Sequence, residues 1–101
     1  MFRHVVMWRV NADDTRERAR ICARIVEAMS PLPGQIPEIR SMRLDLNDLL
    51  PDENADLVLT LEFDDADAFA VYRHHPSHLA VSPSIAALYR TRLAVDFYVR
   101  E

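Results

Sequence analysis

Apolar and polar residues alternate with two different periods along the chain, and those periods lay out its elements. From Arg3 to Val10 a β-branched, aromatic run reads as a first strand, with His4, Val6, Trp8 and Val10 on one face and Arg3, Val5, Met7 and Arg9 on the other. The polar break Asn11-Ala12-Asp13-Asp14 offers a cap for the helix that follows. From Thr15 to about Ser30, Cys22, Ile25, Val26 and Met29 recur at helical spacing, while Arg16, Glu17, Arg20, Arg24 and Glu27 take the wet side. Pro31, Pro33, Gly34 and Pro37 stop that helix and fill a tight connection. A second strand from about Glu38 to Asn47 sets Met42, Leu44 and Leu46 against Arg43, Asp45 and Asn47. After a loop at Leu49 to Asn54, a third strand from Asp56 to Phe63 puts Leu57, Leu59, Leu61 and Phe63 on one face and Val58, Thr60 and Glu62 on the other. Asp64-Asp65 starts a second helix whose inner side carries Phe69 and Tyr72. A further helical segment is expected from Pro76, renewed at Ser82-Pro83 and ending near Tyr89, before a last strand from Thr91 to Arg100.

The order βαββαβ implies an α+β, ferredoxin-like fold, a four-stranded antiparallel sheet with helices over one face. The other face then needs a partner. Leu93, Val95, Phe97 and Val99 share one side of the last strand, and Ala94, Asp96 and Tyr98 the other. If Asp96 looks toward the helices, those four residues lie with Val5, Met7 and Val58 on the uncovered face. Leaving a large apolar side chain wet forgoes roughly 1.5–3 kcal/mol. The expectation is therefore a homodimer, two sheets packed face to face through these seven residues.

Composition narrows the chemistry. All twelve basic residues are arginine, so a lysine Schiff base is excluded, and the single glycine, Gly34, rules out a glycine-rich phosphate loop. A formal charge of −4 argues against nucleic acid or an anionic membrane as partner. The one cysteine, Cys22, permits no internal disulfide and reads as a small buried hydrophobe. With 101 residues, no apolar run of spanning length and no secretory pattern at the N-terminus, a single cytoplasmic domain without cofactor is expected.

The chemistry concentrates at Tyr72-Arg73-His74-His75-Pro76-Ser77-His78, which holds three of the four histidines beside a tyrosine. Imidazole titrates near neutrality and can both take and give a proton. Pro76 breaks the segment, so Tyr72 and His78 belong to two helical pieces meeting at a corner. The same break spoils the i, i+4 face a zinc pair needs, so no metal site is expected from His74, His75 and His78. His75 is placed as the cap of the helix that Pro76 begins.

These residues carry a resemblance. Phe2-Arg3-His4-Val5-Val6-Met7-Trp8, the turn Leu32-Pro33-Gly34-Gln35-Ile36-Pro37, the corner Tyr72 to Leu79 and the ending Val95-Asp96-Phe97 resemble, in order and over essentially the whole chain (1–101), the dimeric α+β barrel (Dabb) family, or stress-responsive A/B barrel domain. The family includes the olivetolic acid cyclase of plants and many members without known reactions. The resemblance implies the face-to-face dimer and a pocket between sheet and helices. Carried over, it makes His78 a general base, Asp96 its orienting carboxylate and Tyr72 the donor to a substrate carbonyl, with His4, Val6, Trp8, Met42, Leu57, Leu59 and His75 lining the pocket. The chain departs from the cyclase at Arg73 and His74, where that enzyme has apolar residues, and at Leu57, where it has a pocket histidine. The implied activity is thus a cofactor-free cyclase, lyase or isomerase acting by proton transfer on a carbonyl compound other than the cyclase's own. The alternative is a non-catalytic stress-associated or ligand-binding dimer, in which His78 and Asp96 merely satisfy each other and Tyr72 is core.

Overall fold

The computed structural model describes residues 1–100. Strand β1 spans Phe2–Val10, helix α1 Thr15–Met29, a one-turn helix α2 Leu32–Gln35, β2 Ser41–Leu46 and β3 Leu57–Phe63. Helices α3 (Ala66–His74) and α4 (Pro76–Ile85) follow, then a 3₁₀ turn at Ala86–Leu88 and β4 at Tyr89–Tyr98. The sheet is antiparallel in the order β2-β3-β1-β4, the split arrangement that βαββαβ implies.

Caps explain where the helices begin. The Asp14 carboxylate accepts from the Glu17 N–H at 2.8 Å and the Asp65 carboxylate from the Ala68 N–H at 2.9 Å, each satisfying one orphan donor of a first turn. α3 ends because Pro76 cannot follow in helical geometry; His75 turns extended (φ −67°, ψ 137°) and its ring Nδ1 accepts from the Ser77 N–H, capping α4 as expected. The expected restart at Ser82-Pro83 does not occur. Pro83 sits inside α4, and the helix ends two residues later, tightening into 3₁₀ geometry before the chain turns into β4 at Tyr89. The connection after α1 likewise holds a helical turn, and β2 begins three residues later than expected because Ile36 and Ile39 are spent on the core.

Register settles the faces. His4, Val6 and Trp8 pair with Leu61, Leu59 and Leu57 on one side and with Asp96, Ala94 and Arg92 on the other, so these residues share the helix-covered face. The core fills the space between that face and the helices: Val6, Leu59, Leu61, Ile25, Leu32 and Phe63 are essentially inaccessible. The opposite face carries Val5, Met7, Val58, Leu93, Val95 and Phe97, with Leu93 69%, Val95 53% and Met7 40% exposed. Among the described residues nothing covers that side of the sheet.

Candidate functional site

The corner between α3 and α4 lies over β1 and β4, at one end of the core. Phe69, on α3, is clasped by Phe2 and Phe63 at ring distances of 5.4 and 5.5 Å, which fixes the helix against the sheet. One turn later Tyr72 is almost wholly buried, its ring 4.4 Å from that of His78 on the first turns of α4 and 6.2 Å from that of His4 on β1. These three rings surround a cavity of about 40 Å³, also lined by Val6, Trp8, Leu59, Ser82, Ile85 and Arg92. That volume admits about three waters. Ser82 and Arg92 are exposed and form its rim.

The expected pairing of Asp96 with His78 is not what the structure holds. Asp96 faces the helices as expected, but its carboxylate takes His4 Nδ1, its direct cross-strand neighbour. His78 Nδ1 lies 3.1 Å from the Arg73 carbonyl, one of the groups that the end of α3 leaves without a helical partner. Proximity decides both bonds: β-sheet register brings Asp96 to His4, whereas His78 sits one break beyond Arg73. Three expected lining residues also fall elsewhere. Leu57 is sealed in the core, Met42 lies on β2, the edge strand at the far side of the sheet from β4, and His75 is spent on its cap.

The hydrogen bonds fix the tautomers. A carbonyl oxygen or an ionised carboxylate only accepts, so Nδ1 carries the proton in both rings and Nε2 keeps its lone pair. Burial pushes the pKa of both imidazoles below the ordinary histidine value, the bond and charge of Asp96 opposing this at His4 and the Arg73 carbonyl opposing it at His78. The guanidiniums of Arg73 and Arg92 add to the lowering at both rings. Both histidines are therefore neutral bases near pH 7. Tyr72 is pushed up to about 12 by burial, so its hydroxyl stays protonated across the neutral range. Among the described residues no three metal-ligating side chains converge.

Arg92, Ser82, Ile85 and Tyr89 line the cavity without having been expected there. Arg92 was within reach of the pattern: it continues the Ala94, Asp96 phase of β4 by one more step. The others depend on where the end of α4 comes to rest.

An α+β protein with a ferredoxin-like sheet, a bare apolar sheet face and a small histidine-rich cavity beneath its helices is the class these observations define. The chain belongs to the stress responsive A/B barrel domain family (Dabb), whose model matches residues 2–99. It is 35% identical over 80 residues to an uncharacterized protein of Streptomyces coelicolor, covering 79% of this chain and 81% of that one. A dimeric ferredoxin-like protein of unknown function from Bacteroides fragilis is similar at 29% identity and a TM-score of 0.82, over 97% of this chain and 95% of that chain. The hydroxynitrile lyase of Passiflora edulis shares the fold at 13% identity and a TM-score of 0.81, over 99% of this chain and 94% of that chain. No helix among the described residues is long and apolar enough to cross a membrane.

Proposed function

We propose that the chain is a homodimer, joined through Val5, Met7, Val58, Leu93, Val95, Phe97 and Val99, in which each subunit carries a cofactor-free proton-transfer site for a small carbonyl compound. The observation that carries this reading is the commitment of Nδ1 in both His4 and His78 to acceptors, leaving two neutral Nε2 lone pairs beside the Tyr72 ring. His78 Nε2 takes a proton from the carbon next to the carbonyl. The C–H electron pair becomes the new C–C π bond, and the carbonyl π pair moves onto oxygen, where the Tyr72 O–H donates to it. The His78 imidazolium so formed returns its proton to carbon or oxygen, and His4, held by Asp96, is a second neutral base within the same wall. A dimeric relative at 29% identity supports the assembly, and the lyase of the same fold supports catalysis by analogy of fold alone.

The test is exchange of solvent deuterium into small ketones and aldehydes, followed by proton NMR. The wild-type protein catalyses exchange, His78→Ala loses about a hundredfold of the rate, and Tyr72→Phe loses a comparable share with little change in binding. Exchange that is equal in wild type and His78→Ala overturns the reading. The small size of the cavity favours the second reading, a non-catalytic stress-associated or ligand-binding dimer. Under it these substitutions change stability alone.

A further inference from the structure

The cavity's polar inventory is lopsided toward donors and positive charge. Arg92 stands directly opposite Trp8 in the β1–β4 register, on the helix-covered face, and lines the cavity at its rim. Among the described residues its guanidinium has no ion pair and no side-chain hydrogen bond, whereas Arg3 takes Glu62, Arg18 Asp56, Arg40 Asp64 and Arg90 Asp13. Beneath it, Trp8 is 3% exposed, and its indole Nε1–H is a buried side-chain donor with no partner. A buried donor left unmade is costly, and such groups ordinarily find an acceptor in protein, water or ligand. Arg73, at the corner, sets a second guanidinium close enough to lower the basicity of both histidines. Among the described residues no carboxylate lines the cavity, and Asp96, behind His4, is already engaged by that ring.

We infer that the compound this cavity accepts is a small carbonyl acid, whose carboxylate is held by the Arg92 guanidinium and the Trp8 Nε1–H while its carbonyl reaches Tyr72. This names the substrate class for the site proposed above and rests on that reading for the carbonyl, while the carboxylate stands on Arg92 and Trp8. The geometry suits the division of labour. A guanidinium at the rim captures and orients an anion with paired N–H donors, and the indole N–H lower down accepts only one orientation of it. A neutral ketone of the same shape leaves both donors unpaired.

The chain supplies its own probe, because Trp8 is its single tryptophan and its emission reports this cavity directly. Pyruvate and 2-oxobutyrate are titrated against the dimer, each beside its methyl ester. The acids give a saturable change in emission at concentrations at least about tenfold below their esters. Arg92→Gln abolishes that preference by weakening the acids alone, and Arg92→Lys restores part of it. Trp8→Phe, followed by calorimetry, weakens the acids several-fold while circular dichroism remains that of a folded protein. Equal binding of acids and esters by the wild type, a preference untouched in Arg92→Gln, or no binding of any acid overturns the inference. Tight, Arg92-dependent binding of acids without deuterium exchange overturns the proton-transfer reading and leaves this one standing. Exchange into neutral ketones with no preference for acids does the reverse.

Discussion

His4 and Asp96 sit directly across from each other on adjacent strands, and the carboxylate of one holds Nδ1 of the other within a face that the helices cover. The pair is asymmetric. The His4 side chain is 8% exposed and that of Asp96 40%, so the carboxylate keeps part of its hydration while the imidazole has none to spare. Replacing Asp96 with Ala strands a buried N–H, and water entering from the exposed side repairs part of the loss. We expect a cost of about 1 kcal/mol in urea unfolding. Asp96→Asn keeps an acceptor but removes the charge that props up His4, so the His4 titration followed by NMR moves further down. An unchanged His4 titration in Asp96→Asn would show that the two groups do not meet in solution.

The buried histidines also set a pH dependence whose sign is fixed. Both have a folded pKa below the ordinary value of 6.5, so between that value and the lower folded one the unfolded chain binds more protons than the native chain. Stability therefore rises with pH through this window, is complete above it, and is lost as pH falls through the folded pKa. The melting temperature is expected to be level above about pH 7 and to decline below about 6.5, with a shallower decline in His78→Gln. Any exchange activity follows the same limb upward and then stays flat toward pH 10, because the Tyr72 hydroxyl holds its proton up to about 12. A second, alkaline fall beginning near pH 9 would contradict the assignment of Tyr72 as donor.

Much of this was legible in the residues themselves. The alternation His4, Val6, Trp8 against Val5, Met7, and that of Leu93, Val95, Phe97 against Ala94, Asp96, place these residues on the faces they occupy, because a strand has only two faces to choose between, whereas β4 ends at Tyr98 and leaves Val99 beyond it. The family resemblance likewise agreed with the matched family. What a linear pattern does not hold is which of two histidines reaches one carboxylate. Both His4 and His78 share the layer of Asp96, and the choice turned on strand register and on a carbonyl freed at the end of α3. The lining by Ser82 and Ile85 was hidden for a related reason: Ser82-Pro83 reads as a fresh helix start, but α4 runs through it.

Asp56 is a structural pin. Its carboxylate accepts from the Val10 N–H at 2.7 Å and lies 3.2 Å from Arg18 Nε, tying the end of β1 to the start of β3 and to α1. The Asp56 side chain is 3% exposed and that of Arg18 21%, so removing the carboxylate leaves a buried N–H and a half-desolvated guanidinium together. Asp56→Ala is expected to cost about 3 kcal/mol, and Asp56→Asn less because an acceptor for Val10 survives. Urea unfolding of the two variants checks this. Equal losses would mean that the charge, and not the hydrogen bond, holds the pin.

The bare sheet face gives the sharpest test of assembly. Leu93, Val95 and Phe97 stand in one row along β4, flanked by Met7 and Val5 on β1 and Val58 on β3, and all lie on the side away from the helices. Roughly 1.5–3 kcal/mol per large side chain is recovered when such a row is buried against a second copy. Two copies related by a two-fold axis cover it with the same residues, which closes the assembly at two. A charge at the centre of that row is then buried without a partner in each subunit. Val95→Asp is expected to convert a dimer to monomer in size exclusion with light scattering, while circular dichroism stays that of a folded chain, since the helix-covered core is untouched. Thr91→Asp, on the same strand but at the rim beside Arg9, leaves the dimer intact. A wild-type protein that runs as a monomer at micromolar concentration, or a Val95→Asp variant that still dimerises, removes the sheet face as the interface.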